Sequence, residues 1–110
     1  MKRKSKIDNR TRQVIEIVKQ SIAEEGVSWL RLSSIEKTRQ VSDARCLFCH
    51  FVFCSTKLSD YDIADILRIN QSNAHRARCR VDDLVATDPF FALKKARLSD
   101  KIRQKMASLE

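Results

Sequence analysis

One glycine and one proline in 110 residues leave little material for tight turns. Hairpins and sandwich corners draw heavily on Gly, Pro and Asn, so this scarcity argues against a β architecture and for helices. Long hydrophobic runs are also missing. The most apolar stretch, Cys46 to Cys54, is far shorter than the roughly 20 residues that cross a bilayer, so no membrane partner is expected. The basic start, Met1-Lys2-Arg3-Lys4, has no apolar segment behind it and does not read as a secretory signal. A cytosolic protein with reduced thiols is the simplest expectation. Catalytic signatures are absent too: no Gly-rich phosphate loop, no nucleophile elbow around a serine, no His-Glu helix motif. The expectation is therefore a non-enzyme, with no cofactor and no small-molecule substrate.

Acidic residues are the other shortage. Fourteen Asp and Glu face 22 Lys and Arg, a formal charge of +8, with a sequence pI near 9.7. Such a balance favours a polyanionic partner, of which nucleic acid is the commonest; an anionic membrane surface or an acidic protein fits the same charge. The hydrophobic fraction of 43% is ordinary for a globular chain. By length this is one domain, divided as a basic arm over residues 1–11 and a helical domain over residues 12–110. The arm, with Lys2, Arg3 and Lys4 at its start, is either a solvated terminus or a segment that lies on phosphates.

Helical periodicity runs from about Arg12 to Glu25, where Val14, Ile15, Val18 and Ile22 form one stripe and Gly26 suits a left-handed cap. Ser28 can cap a single turn in which Trp29, Leu30 and Leu32 are expected core anchors. Ser33 to Ser42 reads as a polar loop carrying Lys37 and Arg39. Ser42 or Asp43 then opens the apolar element Cys46 to Cys54, read as a central helix although its Phe and Val content also suits a buried strand. After Thr87, Asp88 and Pro89 look like the cap and first position of a helix, with Phe90, Phe91 and Leu93 facing the core. Ser99 is the expected cap of a last helix, in which Ile102, Met106 and Leu109 share a face.

Between these lies Ser59 to Val85, two short amphipathic helices on either side of a polar turn. Ser59-x-x-Asp62 is a candidate capping sequence before Ile63, Ala64, Ile66 and Leu67. The pattern breaks at Arg68-Ile69-Asn70-Gln71 and restarts with Ala74, Ala77, Val81 and Leu84. That outline is a helix-turn-helix. Its second helix would place Asn70, Gln71, Ser72, Asn73 and Arg76 at a major groove, where Asn and Gln pair with adenine and Arg with guanine. Arg68, His75 and Arg80 complete the candidate set; Arg78 lies on the same cationic helix. The plainer reading of that helix is a solvated charged face.

Cys46, Cys49, His50 and Cys54 include one CxxC pair, a spacing that zinc uses. They sit in an apolar helical pattern without a glycine knuckle, and no second CxxC exists, so buried structural cysteines are expected and no metal site. His50 reads as a packed histidine. Neither it nor His75 has a partner visible in the sequence.

With these residues assembled, the chain resembles the C-terminal DNA-binding domain of the bacterial replication initiator DnaA, from about Val14 to Met106. Gly26-Val27-Ser28 resembles the segment before that family's basic loop, and Ser34-Ile35-Glu36-Lys37-Thr38-Arg39 occupies the loop's place. Ala44-Arg45 matches the arginine opening the next helix, and Thr56 with Ser59 through Ile63-Ala64 looks like the first helix of the helix-turn-helix. Ser72-Asn73-Ala74-His75-Arg76-Ala77 falls where the family has Thr-Thr-Val-Leu-His-Ala, and Asp88-Pro89 also fits. The resemblance implies an all-α, Trp-repressor-like fold binding double-stranded DNA, with the second helix in the major groove and the basic loop in the minor groove. By position Lys37, Arg39 and Arg45 take the loop's role, and Ser72 and Asn73 stand for the base-contacting threonines. The family's Gly-Gly-Arg-Asp-His motif is replaced by Arg68-Ile69-Asn70-Gln71, one residue shorter, and no Walker motif is present. A protein-interaction module that keeps the fold and binds an acidic partner is the alternative, and a zinc-stabilised domain a third.

Overall fold

The computed structural model describes residues 7–109, and among these the regular structure is six helices without a strand. They are α1 (Asn9–Glu24), α2 (Trp29–Leu32), α3 (Arg39–Ser55), α4 (Asp60–Leu67), α5 (Gln71–Thr87) and α6 (Pro89–Ala107). The fold is all-α, as the shortage of turn residues implies. Lys2, Arg3 and Lys4 lie outside the described residues.

Caps set the boundaries. Asp8 accepts from the Thr11 N–H at 2.8 Å, so α1 begins at Asn9 and Arg10 and Thr11 belong to a helix rather than to the arm. Gly26, at φ +106°, follows α1. Its N–H bonds the Ala23 carbonyl and the Val27 N–H reaches Ile22, which satisfies two of the orphaned carbonyls of the last turn. Ser28 caps α2 as the spacing suggests. The loop after it is shorter than expected: Thr38, not Ser42 or Asp43, caps the next helix by accepting from the Val41 N–H. Arg39 is thus the first residue of α3 and not a loop residue. Asp88 caps α6 with Pro89 behind it. Ser99 caps nothing, because α6 continues through it as one helix from Pro89 to Ala107. Phe91, Leu98 and Ile102, spaced by seven and four, keep a single buried stripe along it.

The apolar run lies in α3, and it is a helix. Cys46, Leu47, Phe48, Cys49, Phe51 and Val52 are buried, and α3 packs against α1, α2, α4 and α5, while α6 rests on α1 and α5. Trp29 lies tilted on Phe48, ring centroids 5.4 Å apart, with the Lys19 ammonium 4.2 Å over the indole. Three expected core residues are not there. Leu30 is 81% exposed, Phe90 81% and Leu93 60%. Consecutive helix positions diverge by about 100°, so Phe90 cannot follow Phe91 inward, and one turn of α2 commits only Leu32 and part of Trp29.

The helix-turn-helix is α4, a three-residue turn, and α5. Ser59 and Asp62 form a reciprocal capping box: Ser59 Oγ accepts from the Asp62 N–H at 3.2 Å, and the Asp62 carboxylate accepts from the Ser59 N–H at 3.0 Å. Arg68 turns the chain in the left-handed region, φ 61° and ψ 42°, a conformation usually left to glycine or asparagine. The Ile69 N–H then bonds the Ala64 carbonyl, and Asn70 caps α5. Ile63, Ala64, Leu67, Ala74 and Val81 are buried and hold the two helices together.

Candidate nucleic-acid interface

An open groove of about 570 Å³ runs between the loop after α2 and the start of α5. Lys37 lines it on the loop side, Arg45 and Cys46 at its base, and Arg68, Asn70, Asn73, Arg76 and Arg80 on the α5 side. Asn73, Arg76, Ala77 and Arg80 recur at helical spacing, so the groove takes one whole face of α5. Its lining contains five Lys or Arg side chains and no Asp or Glu. Many of the acids pair with cations elsewhere: Glu36 with Arg31, Asp43 and Asp88 with Arg39, Asp60 with Arg78, Glu24 and Glu25 with Lys101, Lys105 and Arg97, while Asp65, Asp82 and Asp83 fall outside the groove lining. Lys37, Arg68, Arg76 and Arg80 are exposed and have no ion pair with any described residue. A concave wall carrying one sign of charge focuses potential toward an anion.

The loop is held in shape. Arg45 donates to the carbonyls of Leu32 at 2.8 Å, Ser34 and Arg31. Arg31 grips Glu36 through two nitrogens, at 2.8 and 3.2 Å. That clamp and the Thr38 hydroxyl hold the Glu36 carboxyl down at about 2, the guanidinium being the larger cause. Glu36, the acid nearest Lys37 in sequence, is therefore already neutralised.

The site residues expected from the sequence do not all converge. Lys37, Arg45, Arg68, Asn70, Asn73, Arg76 and Arg80 share the groove. Arg45 spends its guanidinium on the loop's carbonyls and acts there as an anchor. Asn70 Oδ1 is occupied by the cap, accepting from the Asn73 N–H and the Ser72 hydroxyl. Gln71 falls in a separate shallow depression with Tyr61 and Asp65. Arg39 lies on another face beside Phe90 and Phe91, tied to Asp43 and Asp88. His75 lies off the groove as well, its Nδ1 2.8 Å from Asp60 Oδ2.

That last contact belongs to a network the sequence did not disclose. Arg78 donates twice to Asp60, at 2.8 and 2.9 Å, and lays its guanidinium 3.8 Å over the Phe53 ring. Asp60 and Arg78 are 18 residues apart, beyond any helical periodicity, so only the docking of α4 on α5 reveals them. Arg78 and then His75 hold the Asp60 carboxyl down at about 2, against an ordinary 3.8. A depressed carboxylate stabilises the fold fully above its ordinary value, and the contribution is lost as pH falls toward the folded value. The stability difference between wild type and Asp60→Asn, followed by urea denaturation from about pH 6 to about pH 2, should shrink through the window between 3.8 and 2. A difference that stays constant with pH would remove the carboxylate's charge from the explanation.

The cysteines divide by burial. Cys46 and Cys49 are buried, Cys54 and Cys79 exposed. Burial raises the Cys46 thiol and pushes Cys49 to about 12, which disfavours the thiolate that a metal would need. Among the described residues no group of three His, Cys, Asp or Glu side chains is placed to hold a metal ion. His50 is half-buried, and desolvation lowers its pKa. Among the described residues no helix is long and apolar enough to cross a membrane. No protein-family model matches this chain, and neither a curated protein nor a solved structure matches it.

Proposed function

We propose that this chain binds double-stranded DNA without catalysis, presenting the first turns of α5 to the major groove and the loop after α2 to the adjacent backbone. The observation that carries the reading is the groove whose lining holds five cations and no acid, on a helix-turn-helix whose second helix offers Asn73, Arg76 and Arg80 from one face. The exposed start of α5 adds backbone N–H groups suited to phosphate. In this reading Lys37 and Arg68 meet phosphates, and Arg76 and Asn73 meet base edges. The arrangement is what a relative of the initiator's C-terminal domain would use, and it suits a regulator or replication accessory.

Titration of the protein with duplex DNA at two salt concentrations, read by fluorescence anisotropy, tests this. Affinity should fall steeply with salt, because each phosphate neutralised releases condensed counterions. Lys37→Ala should lower the slope of log K against log salt by about 0.9, one phosphate contact. An unchanged slope would take the loop out of the interface. Absence of binding even at low salt would instead favour an acidic protein as the partner of the same groove.

A further inference from the structure

The chain contains two His-x-x-x-Cys pairs, His50–Cys54 on α3 and His75–Cys79 on α5. Four-residue spacing on a helix sets each thiol beside its imidazole. What holds the two rings differs. His50 offers Nδ1 to Cys54 Sγ at 4.0 Å and meets the Phe51 ring edge-on, with no carboxylate hydrogen-bonded to it among the described residues. His75 offers Nε2 to Cys79 Sγ at 3.6 Å while Nδ1 sits 2.8 Å from Asp60 Oδ2. Asp60 is itself fixed by two hydrogen bonds from Arg78.

The protonation pattern follows from the partners. Two groups meet Nδ1: the Asp60 carboxylate, which only accepts, at 2.8 Å, and Arg78 Nη2, which only donates, at 3.2 Å. The shorter contact favours a proton on Nδ1 given to Asp60, which leaves the Nε2 lone pair toward the thiol. Asp60 remains ionised far below neutrality, since Arg78 and His75 hold it at about 2. The order thiol, imidazole, carboxylate is that of a nucleophile, its base and the group that orients the base. Cys79 is exposed, so a small oxidant can reach it.

We propose that Cys79 is a peroxide-reactive thiol, with His75 as its proton acceptor and donor and Asp60 as the positioning residue. Cys79 Sγ attacks one oxygen of a hydroperoxide as its proton passes to His75 Nε2. The S–O bond forms and the O–O bond breaks. His75 returns the proton to the departing oxygen, which leaves as water or an alcohol. Sulfur loses two electrons and the peroxide gains them, leaving Cys79 as a sulfenic acid. This does not depend on what the groove binds.

The test is treatment of the full chain with hydrogen peroxide in the presence of a dimedone probe, with labelling at each cysteine read by mass spectrometry. Cys54, exposed and beside a histidine but lacking the carboxylate, is the internal comparison. Labelling of Cys79 should exceed that of Cys54 by about tenfold or more. His75→Ala should bring the two to parity, and imidazole added to the solution should restore part of the preference. Asp60→Asn should lower the ratio and shift the ¹⁵N signals of the His75 ring away from the Nδ1–H tautomer, which a merely structural role would not do. Equal labelling of Cys54 and Cys79 in the wild type overturns the proposal, as does a ratio that His75→Ala leaves unchanged. His75 is an exposed side chain, so that variant carries the test even if Asp60→Asn fails to fold.

Discussion

Arg76→Ala should weaken binding to the chain's preferred duplex by about 1–3 kcal/mol, roughly 5- to 150-fold, and should relax the preference at one base position. Arg76 is exposed on the groove face of α5, one turn beyond Asn73 and one turn before Arg80. No carboxylate among the described residues competes for it. A guanidinium so placed can make the bidentate contact that guanine offers in the major groove. Arg78, two residues on, cannot stand in for it, because Asp60 and Phe53 already hold it. The check is a selection from random duplexes followed by anisotropy titration of the selected site and its single-base variants, for wild type and Arg76→Ala. An equal loss on every sequence would reassign Arg76 to a phosphate.

Phe48→Ala should have the largest effect on the fold, about 3–5 kcal/mol. Phe48 is fully buried in the middle of α3 and carries Trp29 on its ring, so truncation removes apolar contact and leaves a cavity between α3 and α2. Domains of this size hold about 5–15 kcal/mol in all, so the loss removes a large share of the total and should lower the urea midpoint accordingly. Phe90→Ala is the control: with its ring 81% exposed, it should move the urea midpoint little. Equal shifts for the two variants would contradict the placement of either ring.

Those two phenylalanines mark where the sequence stops being informative. The helix-turn-helix was legible because its signals are local. Ser59-x-x-Asp62 is a capping box, Asn70 stands where the pattern restarts, and the apolar spacing separates α4 from α5. Gly26, Ser28 and Asp88-Pro89 mark ends for the same reason: each acts on backbone within a few residues of itself. The error at Ser99 came from the same logic, since a serine that can cap is also tolerated inside a helix when the apolar stripe on both sides of it continues. Of the candidate site, the cations and polar groups were legible, but not which of them share a groove. Arg39, Arg76, Arg78 and His75 all read as available cations or polar groups; docking ties Arg39 to Asp88 49 residues away and Arg78 to Asp60 18 residues away.

By itself, then, the sequence determined that the chain is helical, where most of its helices end, and that it carries a formal net charge of +8. Each rests on composition or on contacts within a few residues, which the chain carries before it folds. Only the tertiary structure decided which charges are left over. Ion pairs form where helix docking brings opposite charges within reach: it ties Arg39 to Asp88 and Arg78 to Asp60, and leaves Lys37, Arg68, Arg76 and Arg80 along a groove whose lining has no acid.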